Sequence, residues 1–328
     1  MKIYKNIFEK IVSLENLFNA WDEFKRGKRG KMDVMRFERN LEHNLLQLQR
    51  DLVAKRYKHG SYHAFYITDP KQRHIHKASV RDRIVHHAVF TILNPIFEPT
   101  FIFDSYSCRE GKGTHKGIDK LKTMVGKASG YNRWPTYILK CDIKKFFQSV
   151  NHVILLEFLN RKIKDPDAMG LINEIVESFS DGLPIGNLTS QLFANVYLSE
   201  LDHFVKGGLK VRFYIRYTDD FVMVSNSVVQ FRAWFGAIRI FLKQKLKLTP
   251  YPSKVILRKY HQGVDFLGYV QYPHYRRLRT KTKRRILKKV AEGINDQALQ
   301  SYLGVLSHAN SYKLGEQIKN KFWFNKKK

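Results

Sequence analysis

Two adjacent carboxylates, Asp219 and Asp220, stand between two apolar runs in the stretch from Arg216 to Ser225. Val211 to Tyr217 reads as a strand with Phe213, Ile215 and Tyr217 on one face, and Phe221 to Ser225 reads as a second strand. Asp is common in turns because its side chain bonds nearby backbone, so a solvated turn pair is the ordinary explanation of such a doublet. Buried-type strands on both sides argue for more. Carboxylates presented together at a strand junction form a hard, oxygen-rich ligand set that suits Mg²⁺. Phosphoryl transfer with paired metal ions needs such a set and at least one further carboxylate. Asp142 supplies that candidate: it ends the run Tyr137-Ile138-Leu139-Lys140-Cys141, and a core strand seldom ends on an unpaired Asp because burying that charge alone is costly.

The elements around these acids must bring them together. After Asp142 and the segment Ile143-Lys144-Lys145-Phe146-Phe147, Ser149 or Asn151 could cap a helix through Val153, Leu156 and Leu159. Leu183 to Gln191 precedes a strongly amphipathic helix with Leu192, Phe193, Val196, Tyr197, Leu201 and Phe204 on its core face. Thr189 or Ser190 would cap that helix, and Gly186 would let a backbone or base approach closely. Val228 to Leu246 reads as a helix, and a strand through Val255 and Leu257 follows Pro252-Ser253-Lys254. Strand, acid, helix, carboxylate hairpin, helix, strand is the order of the split βαββαβ sheet seen in polymerase palms.

Composition narrows the partner. Lys and Arg number 59 against 29 Asp and Glu, a net charge of +30, which points to a polyanion, above all nucleic acid. The 17 Tyr and 23 Phe offer stacking surfaces for bases. A hydrophobic fraction of 43% excludes a disordered polycation. Cys108 and Cys141 have neither metal nor disulfide spacing, and no signal peptide or long apolar span is seen, so a reducing cytoplasm and no membrane are expected.

Upstream, Ile11, Leu14, Leu17, Phe18 and Trp21, then Phe37, Leu41, Leu45, Leu48 and Leu52, are helical stripes best read as core. The basic break from Lys25 to Lys31 is a loop, solvated or touching phosphates. Tyr62 to Thr68 and Arg73 to His76 flank an Asp69-Pro70-Lys71-Gln72 turn, a hairpin whose Lys71 and Arg73 could clamp a triphosphate or merely protect an edge. The neighbours His86 and His87 point about 100° apart on a helix, so packing or a phosphate contact is preferred to a metal. Tyr106 to Thr114 is a Gly-spaced basic loop before a helix and does not match a Walker loop. From Arg276 onward a basic face that includes Arg284 and Arg285 accompanies the helical stripe Ile286, Leu287, Val290 and Ile294, which suits a duplex backbone.

Taken in order, these motifs resemble the reverse transcriptase family over about residues 61 to 270. The resemblance implies an α+β right-hand polymerase with an N-terminal helical extension (1–60), fingers (61–135), palm (136–275, with a fingers insertion at about 155–185) and a basic helical thumb (276–328). It implies that Asp142, Ile143, Asp219 and Asp220 bind two Mg²⁺ ions, for which Mn²⁺ can substitute, and that Phe147 screens the sugar 2′ position. Lys254 would protonate pyrophosphate, and Lys71, Arg73, Ile185 and Gly186 would line the dNTP site. Phe266, Leu267, Gly268 and Tyr269 would grip the primer, while Arg81, Arg83, Arg109, Lys112 and Tyr217 would join them in holding nucleic acid.

One departure refines the resemblance. Most of the family has Gln-Gly-x-x-x-Ser-Pro where this chain has Ile185-Gly186-Asn187-Leu188-Thr189-Ser190-Gln191. The form with Ile185, Gly186, Ser190 and Gln191 resembles the reverse transcriptases of diversity-generating retroelements. Those enzymes copy a template-repeat RNA into cDNA with errors at adenines, and they act with a small, basic, pentameric helical accessory protein. Replacing Gln by Ile removes a polar contact worth ~1–3 kcal/mol, which would loosen discrimination. A group II intron-type enzyme, an antiphage-defence reverse transcriptase and a silent RNA-binding scaffold are the alternatives.

Overall fold

The computed structural model describes residues 2–69 and 72–326, so Lys71 lies outside the described residues. The chain opens with helices α1 (Phe8–Val12), α2 (Leu14–Lys25), α3 (Met32–Glu38) and α4 (Leu41–Val53). A hairpin β1 (His63–Ile67) and β2 (Arg73–Lys77) leads to α5 (Val80–Phe97) and α6 (Thr114–Ala128). Next come β3 (Tyr137–Asp142), a short α7 (Phe146–Ser149), α8 (His152–Asn160), α9 (Pro166–Glu177) and α10 (Leu188–His203). The second half holds β4 (Phe213–Tyr217), β5 (Asp220–Ser225), α11 (Val228–Lys245), β6 (Ile256–Lys259), β7 (Val264–Phe266), β8 (Tyr269–Gln271) and β9 (Arg276–Leu278). Three helices close it: α12 (Thr280–Glu292), α13 (Asp296–Ser307) and α14 (Tyr312–Lys326).

This mixture of helices and antiparallel sheets is the α+β class expected. The chain divides into two compact units, each assembled from three separate stretches. The first comprises residues 1–103, 143–208 and 238–250. It is mainly helical. Leu17, Trp21 and Phe24 on one face of α2 are buried, as are Ile84, Val85, Ala88 and Val89 of α5. Asn16 fixes this packing by donating from Nδ2 to the carbonyls of Ile11 and Ala88. Asp165 ties two pieces of the unit together. Its Oδ1 accepts from the amides of Asp167 and Ala168 at the start of α9, and its Oδ2 accepts from Ile7 and Phe8 at the start of α1.

The second unit comprises residues 104–142, 209–237 and 251–328. Its main sheet has the order β4-β5-β3-β6 with every neighbouring pair antiparallel. Read along the chain, these strands are first, hairpin and last, which is the expected βαββαβ order. Ile138, Ile215, Val222 and Val224 from this sheet share a core with Ile118, Leu121 and Val125 of α6, Ile286 and Val290 of α12 and Ile318 of α14. A smaller sheet, β7-β8-β9, joins the same core through Phe266, Tyr269 and Leu278.

Arg276 corrects the reading of the basic segment as solvent-facing from its first residue. It is buried, with Nε on Gln271, Nη2 on Asp119 and Nη1 on the carbonyl of His308. A guanidinium pays its desolvation cost only when its donors are matched in this way. Arg284 is exposed and Ile286 is buried one helix face away, so the expected basic face begins on α12.

Burial alone would push the Asp165 carboxyl up, but four backbone N–H bonds outweigh it and hold the carboxyl below the ordinary range. Its stabilisation is therefore complete above the usual carboxylate pKa and fades as pH falls through the lower folded value. Asp165→Ala should lower unfolding free energy by about 2–4 kcal/mol at neutral pH, with a smaller gap in strong acid. Urea titrations at both pH values check this.

Candidate active site

Antiparallel pairing, not a flexible loop, places the acids of the second unit. Asp142 at the end of β3 lies directly opposite Asp220 at the start of β5. Tyr217 of β4 pairs with Asp220, which leaves Thr218 and Asp219 as a two-residue hairpin turn. Thr218 takes a positive φ of 53°, the backbone that the first position of such a turn uses. Arg216, fully buried in β4, donates from Nη1 to the carbonyl of Thr218 at 3.0 Å. The Thr218 hydroxyl donates to Ser107 Oγ at 2.6 Å, and Tyr106 N–H donates to the Arg216 carbonyl. The turn that carries Asp219 is thus tied on both sides of its backbone.

Lys254 reaches the same acids from the turn before β6. The amide of Tyr251 donates to the Asp142 carbonyl, the amide of Lys254 donates to the Tyr251 carbonyl, and Lys254 Nζ lies 2.8 Å from Asp142 Oδ2. Burial alone would lower the Lys254 pKa, but the bond to Asp142 and the charges of Asp219 and Asp220 raise it, so the ammonium is kept. Lys140 was not anticipated. Its Nζ is 3.4 Å from Asp220 Oδ2 and donates to the Asp265 carbonyl at 3.2 Å. The signal was available, since residues two apart on a strand share a face and Lys140 is two before Asp142.

The acids are short of cations even so. Burial first, and then the Asp142 charge, push Asp219 up to about 6. Asp220 is raised by burial and by Asp142 against the opposing pull of Lys140, and its Oδ1 is buried with no hydrogen-bond partner. Among the described residues no three acid, histidine or cysteine side chains already converge on one metal-sized point. The donor set nevertheless fits a hard divalent cation: Asp142, Asp219 and Asp220 offer oxygens only, and one of them is an orphan.

Other predicted positions of the second unit make local contacts of their own. Tyr217 Oη and Thr114 Oγ1 are 3.3 Å apart. Phe266 pairs with Tyr269 across the turn Leu267-Gly268, whose φ values of 52° and 89° make a type I′ hairpin. Arg109 donates to the Ser105 carbonyl, and the Lys112 ammonium sits 5.0 Å from the Tyr106 ring centre.

In the first unit, Ile185, Gly186 and the β1–β2 hairpin form a separate group. His76 N–H donates to the Ile185 carbonyl at 3.0 Å. A Cβ on Gly186, where φ is +123°, would meet Ile75 Cγ2 at 3.1 Å, so this loop and β2 approach as closely as glycine permits. Arg73 is exposed opposite Ile67 on β1. Phe147 is half-buried, and the Phe147 carbonyl accepts from Leu183 N–H at 2.7 Å. Gly182 makes this possible: a Cβ there would lie 2.0 Å from the same carbonyl oxygen. Ile143 is buried and pairs with Pro250.

One expectation changes. Neither Thr189 nor Ser190 caps α10. The cap position falls on Asn187, whose side chain makes no capping bond and is buried without a partner. Both hydroxyls sit inside the helix, and Thr189 instead bonds His86 Nδ1. His86 Nε2 is 3.0 Å from His59 Nε2, and burial lowers His86 to about 3, so this histidine is packed and neutral. Of the caps left open for α8, Asn151 is the one used. Arg81 and Arg83 bond Asp51 and Asp33 within the unit.

A carboxyl raised as Asp219 is stabilises the fold below the ordinary pKa, and that contribution is lost as pH rises through about 6. Asp219→Asn should therefore raise the melting temperature of the metal-free protein at pH 7.5 and leave it nearly unchanged at pH 4. Thermal unfolding in EDTA at both pH values checks the sign.

Comparison with known proteins follows the same stretch. The family model for reverse transcriptase (RNA-dependent DNA polymerase) matches residues 61–271. Protein YkfC of Escherichia coli is 27% identical, over 68% of this chain and 70% of that protein. Group II intron-encoded protein LtrA of Lactococcus lactis subsp. cremoris is 25% identical, over 61% of this chain. The match spans only 44% of LtrA's own length. An uncharacterized 91 kDa protein in the cob intron of Schizosaccharomyces pombe is 30% identical over 39% of this chain. The carboxylate hairpin, the acid of β3 and Lys254 all lie inside the matched region, and the chain belongs to the reverse transcriptase (RNA-dependent DNA polymerase) family.

Proposed function

We propose that this protein copies a template-repeat RNA into cDNA with errors concentrated at template adenines, as part of a diversity-generating retroelement. Family membership supports RNA-directed DNA synthesis. Asp142, Asp219 and Asp220 would hold two Mg²⁺ ions, which when bound supply charge neutralisation for the triphosphate and lower the pKa of the primer 3′-hydroxyl. Asp142 and Asp220 are held in register by the sheet, so they need little rearrangement to present their oxygens. Lys254, whose ammonium is kept by its bond to Asp142, would give a proton to departing pyrophosphate. Arg73 and Lys71 hold the triphosphate and Phe147 excludes the ribose 2′-hydroxyl. Phe266 to Tyr269 grip the primer, and the exposed cations of α12, Arg284 among them, follow the duplex backbone.

The observation that carries the mutagenic reading is Ile185 in place of a glutamine, on a loop whose backbone is pinned to β2. An apolar side chain on a fixed backbone packs but cannot test a hydrogen bond, so discrimination weakens without loss of the pocket's shape. A small, basic, pentameric helical accessory protein is the partner this reading calls for. The second reading is a group II intron-type reverse transcriptase, favoured by the similarity to LtrA.

Primer extension on a defined RNA template, with the cDNA sequenced, tests the proposal. Asp142→Ala should lower extension by at least about 10³-fold while RNA affinity stays near wild type. Ile185→Gln should lower misincorporation opposite template adenines by about tenfold, the equivalent of one buried hydrogen bond. Accurate copying of every template base by the wild type would remove the mutagenic role and favour the intron-type reading.

A further inference from the structure

The carboxylates occupy one end of the main sheet, and the other end of the same sheet is a surface of a different kind. Tyr137 and Asp142 are the two ends of β3, separated by five residue steps, or about 16 Å at the ~3.3 Å rise of a strand. At the Tyr137 end, the register aligns Lys259 of β6 on one side and Ser225 of β5 on the other. The loop from α6 into β3 arrives at this end and carries Tyr131 and Trp134, which are 79% and 63% exposed. Around them lie four exposed cations: Lys127 and Arg133 on the loop side, Arg258 and Lys259 on the edge strand β6. No Asp or Glu occurs in residues 126–137 or 255–264.

The loop is built, not slack. Gly130, Tyr131 and Asn132 take φ values of 55°, 57° and 74°, a run of left-handed backbone that two non-glycine residues adopt at a cost. Three hydrogen bonds hold it: Tyr131 N–H to Gly126, Trp134 N–H to Ser129, and Asn132 N–H to the Ser129 hydroxyl. The Cδ1–Nε1 edge of the indole lies against Gly130, where an added Cβ would meet Trp134 Cδ1 at 2.7 Å. The Tyr131 ring edge rests 3.8 Å from the position a Cβ would take on Gly126. Each ring is thereby held along one edge while most of its surface stays exposed.

We propose that this end of the sheet is a second RNA site, which stacks unpaired bases on Trp134 and Tyr131 and holds the adjoining phosphates with Lys127, Arg133, Arg258 and Lys259. Fixed, open aromatic faces interleaved with cations and free of acids are what single-stranded nucleic acid requires. A protein partner would not call for four cations without a counter-charge. Its distance along β3 from the carboxylates separates it from the nucleotide being copied, so the site anchors RNA outside the segment under synthesis. The inference rests on the chain binding RNA and not on the chemistry at Asp142.

Fluorescence anisotropy with a labelled single-stranded RNA of mixed sequence tests the site on the full chain. Trp134→Ala combined with Tyr131→Ala should weaken binding by about tenfold or more, whereas Trp134→Phe, which keeps a stacking face, should bind within about twofold of wild type. Lys127→Ala with Arg133→Ala should weaken binding and lower the slope of log affinity against log salt by about 2. Extension of a short RNA–DNA primer-template with no long single-stranded tail should stay at the wild-type rate in all of these variants. RNA affinity unchanged in the double aromatic variant overturns the proposal, and loss of self-association by that variant in size-exclusion chromatography would give the surface to a second copy instead. A wild type that extends no primer yet binds RNA through Trp134 would overturn the polymerase reading alone.

Discussion

Crowding of like charge at one sheet edge is the constraint on which the second unit depends. Asp142 and Asp220 face each other because β3 and β5 are antiparallel and in register, and Asp219 follows because the hairpin turn has only two residues. Like charges directly opposite on neighbouring strands are destabilising. The sheet tolerates them because Ile138, Ile215, Val222 and Val224 commit the strands to that register from the other end. Shifting β5 by one residue would separate the acids, but it would also put Phe221 and Met223 where Val222 and Val224 now pack against α6, in a strand buried on both faces.

Lys140 and Lys254 offset part of that repulsion without removing it. Each touches a single carboxylate oxygen, and Asp220 keeps a buried oxygen with no partner. A fully neutralised cluster would have no remaining use for a cation. Arg216 contributes differently: it is buried in β4 and braces the turn carbonyl, so it governs where Asp219 stands. The guanidinium's planar fork suits this better than an ammonium could.

Much of this was legible in the residues. The three acids, the strands that carry them and the βαββαβ order follow from period-two apolar runs that end in Asp. Strand limits moved by only a residue or two, as at β4, which begins at Phe213 and not Val211. What could not be read depends on partners distant in sequence. Arg276 looks like any other cation of a basic run until Gln271, Asp119 and the His308 carbonyl are brought round it. Thr189 looks like a cap, but the cap position falls two residues earlier, on Asn187, and His86, 103 residues away, takes its hydroxyl. Lys140 was hidden by its neighbours, since a lysine inside a strand reads as an edge charge unless its two-residue offset from an acid is weighed.

Gly182 has a consequence that reaches beyond its own loop. Because no side chain fits between it and the Phe147 carbonyl, and because Leu183 bonds that carbonyl, the backbones at 147 and at 182–183 move as one body. The same loop runs on to Ile185, which is bonded to β2. If Phe147 selects the sugar and Ile185 the base, as proposed, the two selectivities would share one mechanical frame. Evolution can retune either by exchanging a side chain, but a change in loop length would disturb both at once. On that proposal, a lineage that relaxed base selection while still excluding ribonucleotides would be confined to one route: a new side chain on an unaltered backbone.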